Sequence, residues 1–341
     1  MMSSLTRNKT VTRLGMAVLA ASTVTMALTA TGIVSEASAR PDTAAHTLKF
    51  IFIEPNAASS NATDVSLDKG LVQAGEDLGV TTIFRGPESA GIQFNAAQAL
   101  SLLQQAIAEK PDGLVVDDFE PTAMNGAIRQ AVADGIPVVL SLSGYGQAPA
   151  TGALTYVGND DTRTGLLGGQ LLSQYSKHAL LVTATDAIPY VAMRNNGFLT
   201  GFKGKVTVLT APLSDFGDPT AMRNLVEIAL DKDKSIDGTF SIGSAASAAI
   251  IAAVQSLGPS RHIYMGGIDI TAPVITALEA HTYLFTLDQQ AYLEGYLPVQ
   301  ILTQYIRYGL VPTVPFVPTG PVEITPQNAA RIAQLVDEGY R

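Results

Sequence analysis

The stretch YVGNDDTRTGLLGGQLL, residues 156–172, decides how this chain folds. A short apolar run, 153–157, reads as a buried strand and enters a polar turn at 158–163. An amphipathic helix follows, with Asp161 or Thr162 as its N-cap, because a short oxygen-bearing side chain there accepts from an orphan amide of the first turn. On each side of the stretch lies a series of alternating strand and helix patterns of similar length. The stretch therefore marks where the chain leaves one α/β lobe and enters a second.

Upstream, LKFIFI at 48–53 is a near-continuous apolar run, as expected for a strand buried on both faces of a parallel sheet. The next helix carries Leu67, Leu71, Ala74 and Leu78 on one face and stops at Gly79. Strands at 81–85, 113–117 and 137–141 then alternate with helices at 96–109 and 121–134. Downstream, strands at 179–182, 206–209, 238–241, 262–267 and 283–287 alternate with helices at 190–202, 219–231, 245–257, 272–280 and 291–308. Strands recur every roughly 25–33 residues, the length of a βαβ unit with its right-handed crossover. Pro298 is expected to remove one backbone hydrogen bond and kink the long helix. Residues 311–326 read as Pro-rich and extended, and 327–338 as a last short helix.

The expected fold is α/β: two similar lobes, each a parallel sheet flanked by helices, joined by a three-segment hinge. The first lobe takes residues 40–157 plus about 290–318, the second 158–289 plus about 319–341. The crossings are expected near 143–157, 269–290 and Thr319.

Composition fits this plan. The chain has 341 residues, 47% of them hydrophobic, which is ample for a core and long for one domain. Its N-terminus reads as a signal peptide: Arg7, Lys9 and Arg13 precede an apolar stretch at 14–34, and Ala37-Ser38-Ala39 is a small-x-small cleavage site. An uncleaved membrane anchor is the other reading. Removing residues 1–39 takes the net charge from -9 to about -11, since three basic groups and one acid leave. Such an acidic chain, without a basic stripe, argues against nucleic acid and anionic membranes as partners. With no Cys there is no disulfide and no lipid-modified N-terminal cysteine, so the mature protein is expected to be soluble and exported.

Parallel α/β lobes place ligand groups at the carboxyl ends of their strands. Here those ends lead into loops at 54–63, 117–120, 141–146, 184–194, 214–218, 243–244, 269–271 and 288–290, rich in Asn, Asp, Gln and Ser. Catalytic signatures do not accompany them. The four His show no metal spacing, and G-x-S-x-G, a P-loop and a first-strand G-x-G-x-x-G are absent from the sequence. Asp117, Asp118 and Glu120 form an acidic group open to three readings: a cation site, a solvated loop, or an N-cap for the helix at Pro121. The glycines of GLLGGQLL let that helix pack closely against a neighbour.

Six motifs carry a resemblance. KPDGLVV (110–116), ADGIPVV (133–139), YVGNDDTRTG (156–165), RNNGF (194–198), GGID (266–269) and LDQQAYLEGY (287–296) occur in this order. In that order and spacing the chain resembles the type I periplasmic substrate-binding proteins of sugar ABC transporters, the ribose-binding-protein-like group, from Leu48 to about Asn328. The resemblance implies a monomeric receptor, without cofactor, metal or catalytic residue, that closes on a small polar ligand, a sugar foremost, and delivers it to an ABC permease in the membrane.

Matched residue by residue, Asp269 stands where the family places a carboxylate that accepts from sugar hydroxyls. Gln289, six residues before Gly295, stands where a glutamine contacts the ligand from the hinge. Asn61, nine residues before Gly70, matches a ligand-contacting asparagine, and Arg194 lies near the family's ligand-binding arginine with shorter spacing to Gly197. Asp269 also reads as a cap for the next helix, and Gln289 as a hinge residue bonding only backbone.

The departures concern specificity. Leu142-Ser143 takes the place of the usual Asp, Thr63 and Asp64 replace aromatics that stack on a sugar ring, and Gly243-Ser244 replaces a polar residue. Loss of the rings weakens or redirects pyranose binding. A polyol, a nucleoside or a furanosyl signal stands as the alternative ligand, and a secreted hydrolase with paired carboxylates as the alternative class.

Overall fold

The computed structural model describes residues 46–59, 61–88, 95–258 and 260–341, and the expected signal peptide lies outside them. Strands and helices are numbered in chain order. One six-stranded sheet contains β1 (Lys49–Ile53), β2 (Thr81–Arg85), β3 (Gly113–Val116), β4 (Val138–Ser141), β5 (Tyr156–Asn159) and β11 (Phe316–Gly320). Its order is β11-β5-β4-β3-β1-β2, with every pair parallel. The other contains β6 (His178–Thr183), β7 (Lys205–Thr210), β8 (Gly238–Ser241), β9 (Tyr264–Ile268), β10 (Phe285–Asp288) and β12 (Val322–Ile324), in the order β12-β10-β9-β8-β6-β7.

The two orders are the same pattern, which is what two similar lobes require. Only β12 departs, pairing antiparallel with β10. Its direction follows from its connection. β11 ends at the carboxyl edge of the first sheet and Pro321 alone separates it from β12, so the chain enters the second sheet from the carboxyl edge and runs against its neighbour. The extended, Pro-rich segment is thus two edge strands, one for each sheet.

Helices cover both faces. In the first lobe these are α1 (Ala62–Leu78), α2 (Ala96–Ala108), α3 (Pro121–Ala133), the single turn α4 (Ala148–Thr151) and the long α10 (Ala291–Tyr308), which runs on through Pro298. In the second they are α5 (Asp161–Leu172), α6 (Pro189–Gly201), α7 (Pro219–Lys232), α8 (Ser244–Ser256), α9 (Ala272–Glu279) and α11 (Ala329–Asp337). The apolar run of β1 shows why no alternation was needed. Ile51 and Ile53 pack with Leu103, Met124 and Ile128 on one face, while Phe50 and Phe52 pack with Leu67, Leu71 and Leu302 on the other.

The chain passes between sheets three times: after β5, after β10 and between β11 and β12. The first passage falls after Asn159, beyond the expected 143–157, because β5 extends further than its apolar run. The helix cap moves with it. Asp160, not Asp161 or Thr162, accepts from the Arg163 amide at 2.9 Å, and Asp161 is left free for other work.

Close helix pairing occurs once per lobe, and glycines permit it. A Cβ on Gly165 of α5 would stand 2.0 Å from the Arg194 carbonyl oxygen of α6, and one on Gly70 of α1 the same distance from Tyr292 O of α10. The close packing read from GLLGGQLL is therefore real, and it fixes the backbone that carries Arg194.

Candidate functional site

The carboxyl edges of both sheets face a cleft of about 800 Å³, counted to its open mouth. Asn61, Arg194, Asp269 and Gln289 all line it. Three non-glycine residues at strand ends beside it, Leu142, Asp269 and Gln290, have left-handed backbone, with φ of 65°, 73° and 59°. Such conformations cost on the order of 1–3 kcal/mol each and gather where geometry serves a ligand.

Arg194 organises the second-lobe wall. Its side chain is buried, and its Nε donates to Asp161 Oδ1 at 2.7 Å, Nη1 to Ile242 O at 2.9 Å and Nη2 to Gln289 Oε1 at 3.2 Å. Its guanidinium also lies 4.9 Å from the Tyr190 ring centre. Burial works against its charge, but Asp161 and Asp269 outweigh that and raise its pKa further. A planar fork satisfies a carboxylate, a backbone carbonyl and an amide at once, which a lysine does not.

Asp269 is held from two sides. Its Oδ1 accepts from Gln289 Nε2 at 2.8 Å and its Oδ2 from the backbone amide of Ser244, in the first turn of α8, at 3.1 Å. It does not cap the helix that follows it; Thr271 caps α9. Burial lifts its pKa, opposed by the Arg194 charge. Gln289 bonds side chains on both sides of it, so it is more than a backbone bridge. Gly243-Ser244, noted above as a departure, supplies a helix N-terminus in place of a polar side chain.

The first-lobe wall is more acidic than its sequence suggested. Asn61 is the N-cap of α1, accepting from the Asp64 amide at 3.1 Å while its Nδ2 donates to Asp64 Oδ2 at 2.7 Å. Asp64 and Asp117 line the cleft, with Glu54 buried nearby. Burial, then the charges of Asp117 and Asp269, push Asp64 to about 8. Burial pushes Asp117 to about 7, and burial, then the charges of Asp117 and Asp64, drives Glu54 well above its ordinary range. Glu54 Oε2 and Asp117 Oδ1 have no donor from another group. A proton on Glu54 lets the two carboxyls bond each other.

The acidic group at 117–120 is therefore neither a solvated loop nor a cap. Asp117 and Asp118 are 2% and 1% exposed, and Glu120, at the N-cap position of α3, makes no side-chain cap bond. The short turn after β3 points into the interlobe space, which removes them from water. Among the described residues no group of three or more His, Cys, Asp or Glu is set to hold a metal ion.

Aromatic faces come from the second lobe. Tyr190 and Phe216 line the cleft, where the sequence lacks rings after Asn61. Both belong to strand-end loops already singled out, at 184–194 and 214–218; the position was legible and the choice of ring was not. Among the described residues no helix is long and apolar enough to cross a membrane.

Two α/β lobes of matching topology around a polar cleft, linked by three strands of chain, define a ligand receptor of the hinge-closing kind. Residues 55–309 match the periplasmic binding protein domain family, and the chain belongs to it. The xylose/arabinose-binding protein XylF of Sulfolobus acidocaldarius is 23% identical over 280 residues, 76% of this chain and 66% of that protein, so the chain spans just under two thirds of that relative. The ribose import binding protein RbsB of Bacillus subtilis is 22% identical over 276 residues, 80% of this chain and 87% of that one. A carbohydrate transporter from Acidothermus cellulolyticus, solved in complex with myo-inositol, is similar with a TM-score of 0.78 and 29% identity, over 87% of this chain and 100% of that one. Both curated relatives are named as binding proteins.

Proposed function

We propose that this protein is an exported receptor that closes on a sugar-sized, polyhydroxylated ring and delivers it as a monomer to an ABC permease. The observation that carries this reading is the chain Arg194–Gln289–Asp269 on one wall of the cleft, opposite Asn61 on the other. Each hydroxyl of such a ring both donates and accepts, which suits a wall of carboxylate, amide and guanidinium groups. Tyr190 and Phe216 offer apolar area to the ring faces. The names of the relatives, binders of xylose, arabinose and ribose, and the myo-inositol complex of the structural neighbour, point to the same ligand size and chemistry.

The mechanism is rotation of lobes about the three crossings, with residues 46–159 and about 290–320 moving against 160–289 and about 322–341. A ligand touching both walls favours the closed state by the contacts it makes only there. Residues 1–39 act as the leader that exports the chain.

The test is a dye-based thermal shift, since the chain has no Trp, against sugars and cyclic polyols. A ligand at a hundred times its dissociation constant adds about 2.7 kcal/mol, several degrees at roughly 2–4 °C per kcal/mol. Hydrolysis of chromogenic glycosides by the purified protein, or silence across the panel, would overturn the reading.

A further inference from the structure

A second, smaller chamber of about 280 Å³ adjoins the cleft and shares Ser143 and Tyr190 with it. Asp161, the partner of Arg194, forms part of its wall. So does Asp118, which is 1% exposed and whose two carboxylate oxygens are buried without a hydrogen-bond partner. The charges beside Asp118, those of Glu120 and Asp117, repel it. Among the described residues no Lys, Arg or His lines the chamber, and the rings of Phe119, Tyr145 and Tyr190 do.

A carboxylate shut away from water without a donor is costly, and native folds keep one where something else supplies the donor. Water supplies hydrogen bonds but no charge. A hard metal ion takes six or more oxygen ligands, and the described residues hold no set of three metal-binding side chains. An ammonium group asks for less: a carboxylate, a hydroxyl acceptor and ring faces whose quadrupoles attract a cation. Asp118, Ser143 and the rings meet that description. The main cleft leans the same way once Asp64 and Asp117 ionise, with those two and Asp269 against the single cation Arg194 among its lining residues.

We propose that this chamber receives an ammonium substituent of the bound ring, so that the preferred ligand is an amino-substituted sugar or cyclitol. The inference rests on the receptor reading above and narrows its ligand class.

Calorimetric titration tests it, using glucosamine, galactosamine and an amino-inositol, each beside its hydroxyl counterpart, in lithium chloride and again in sodium and potassium chloride. The amine is expected to bind at least about tenfold more tightly than its counterpart, the scale of one charge-assisted hydrogen bond. Asp118→Asn should bring that ratio down to about one. Met193→Lys, which sets a cation on the chamber wall from α6, should do the same and serves if the first variant does not fold. Binding of hydroxyl compounds with no preference for amines overturns this inference and leaves the receptor standing. No binding of either class overturns both. A ratio that survives both variants places the ammonium elsewhere, and a requirement for sodium or potassium fills the chamber with an inorganic cation; either result ends the proposal.

Discussion

Gln289 donates its amide to Asp269 Oδ1 at 2.8 Å while its own Oε1 accepts from Arg194 at 3.2 Å. A residue at the passage between lobes thereby joins a strand-end carboxylate and a helix-borne guanidinium in one chain of bonds. These bonds are made within the protein and need no ligand atom, so they limit the rotamer freedom lost on binding. They also tie the state of the hinge to the state of the site.

Removing the carboxylate should show this. Asp269→Ala is expected to weaken sugar or polyol binding by about 1.5–3 kcal/mol, the scale of hydrogen bonds to a charged group. It also strips a partner from Gln289 and from the α8 terminus. Calorimetry gives the affinity; an unchanged value would remove Asp269 from the binding wall.

Arg194 carries a different load. Its loss leaves Asp161, 2% exposed, as a buried carboxylate without its ion pair. Breaking such a pair costs about 3–5 kcal/mol, so Arg194→Ala should lower the urea midpoint sharply. Arg194→Lys should recover little of it, because one ammonium does not reach Asp161, Ile242 O and Gln289 together. A wild-type midpoint in the lysine variant would refute the account of the fork.

How much of this was legible beforehand follows from what each pattern encodes. Buried parallel strands are apolar on both faces, so runs such as LKFIFI announce themselves, and with them the lobes. Asn61, Arg194, Asp269 and Gln289 were implied by the family resemblance, matched residue by residue, and the structure gathers the four in one cleft. Asp117 and Asp118 did not stand out as buried, because an acid after a strand looks the same whether its loop meets water or the facing lobe; Asp64 did not because an acid in a helix's first turn is ordinary on a solvated face. The cap of α5 was misplaced by one residue since Asn159, Asp160, Asp161 and Thr162 are all good caps, and only the length of β5 chooses among them. The turn α4 and the 3₁₀ segment Leu213–Gly217 are too short to show a period.

Gly165 tests the link between packing and site. An alanine there puts its Cβ 2.0 Å from the Arg194 carbonyl oxygen, and backbone on both helices leaves no flexible side chain to yield. Overpacking of this kind costs about 1–3 kcal/mol. Moving α6 outward carries the guanidinium with it, so Gly165→Ala should lower both the urea midpoint and the ligand affinity. Gly126→Ala, on α3 with open space around it, is the control: it should leave the affinity unchanged and raise the midpoint slightly, as Ala for Gly does inside a helix. Equal behaviour of the two variants would break the link.

The acidic first-lobe wall sets the pH dependence, and its sign is the reverse of a salt-bridged surface. Asp64, at about 8, and Asp117 and Asp118, at about 7, are raised from the ordinary 3.8, first by burial. The folded protein then keeps protons that the unfolded chain has released. Between pH 4 and 8 the unfolded state binds fewer protons, so stability falls as pH rises and levels off above the folded pKa values. Carboxylates held low by partners, such as Glu109 beside Arg85 and Lys49, act in the opposite sense but titrate at about 2, below this window. The ligand-free protein should therefore melt at its highest temperature near pH 4–5 and at its lowest near pH 8. Asp64→Asn keeps an oxygen for the Asn61 amide while removing the charge, and should flatten the curve at its alkaline end. A melting temperature that climbs across this range would mean that the wall is hydrated and ionised, with Asp64 and Asp117 titrating as ordinary carboxylates.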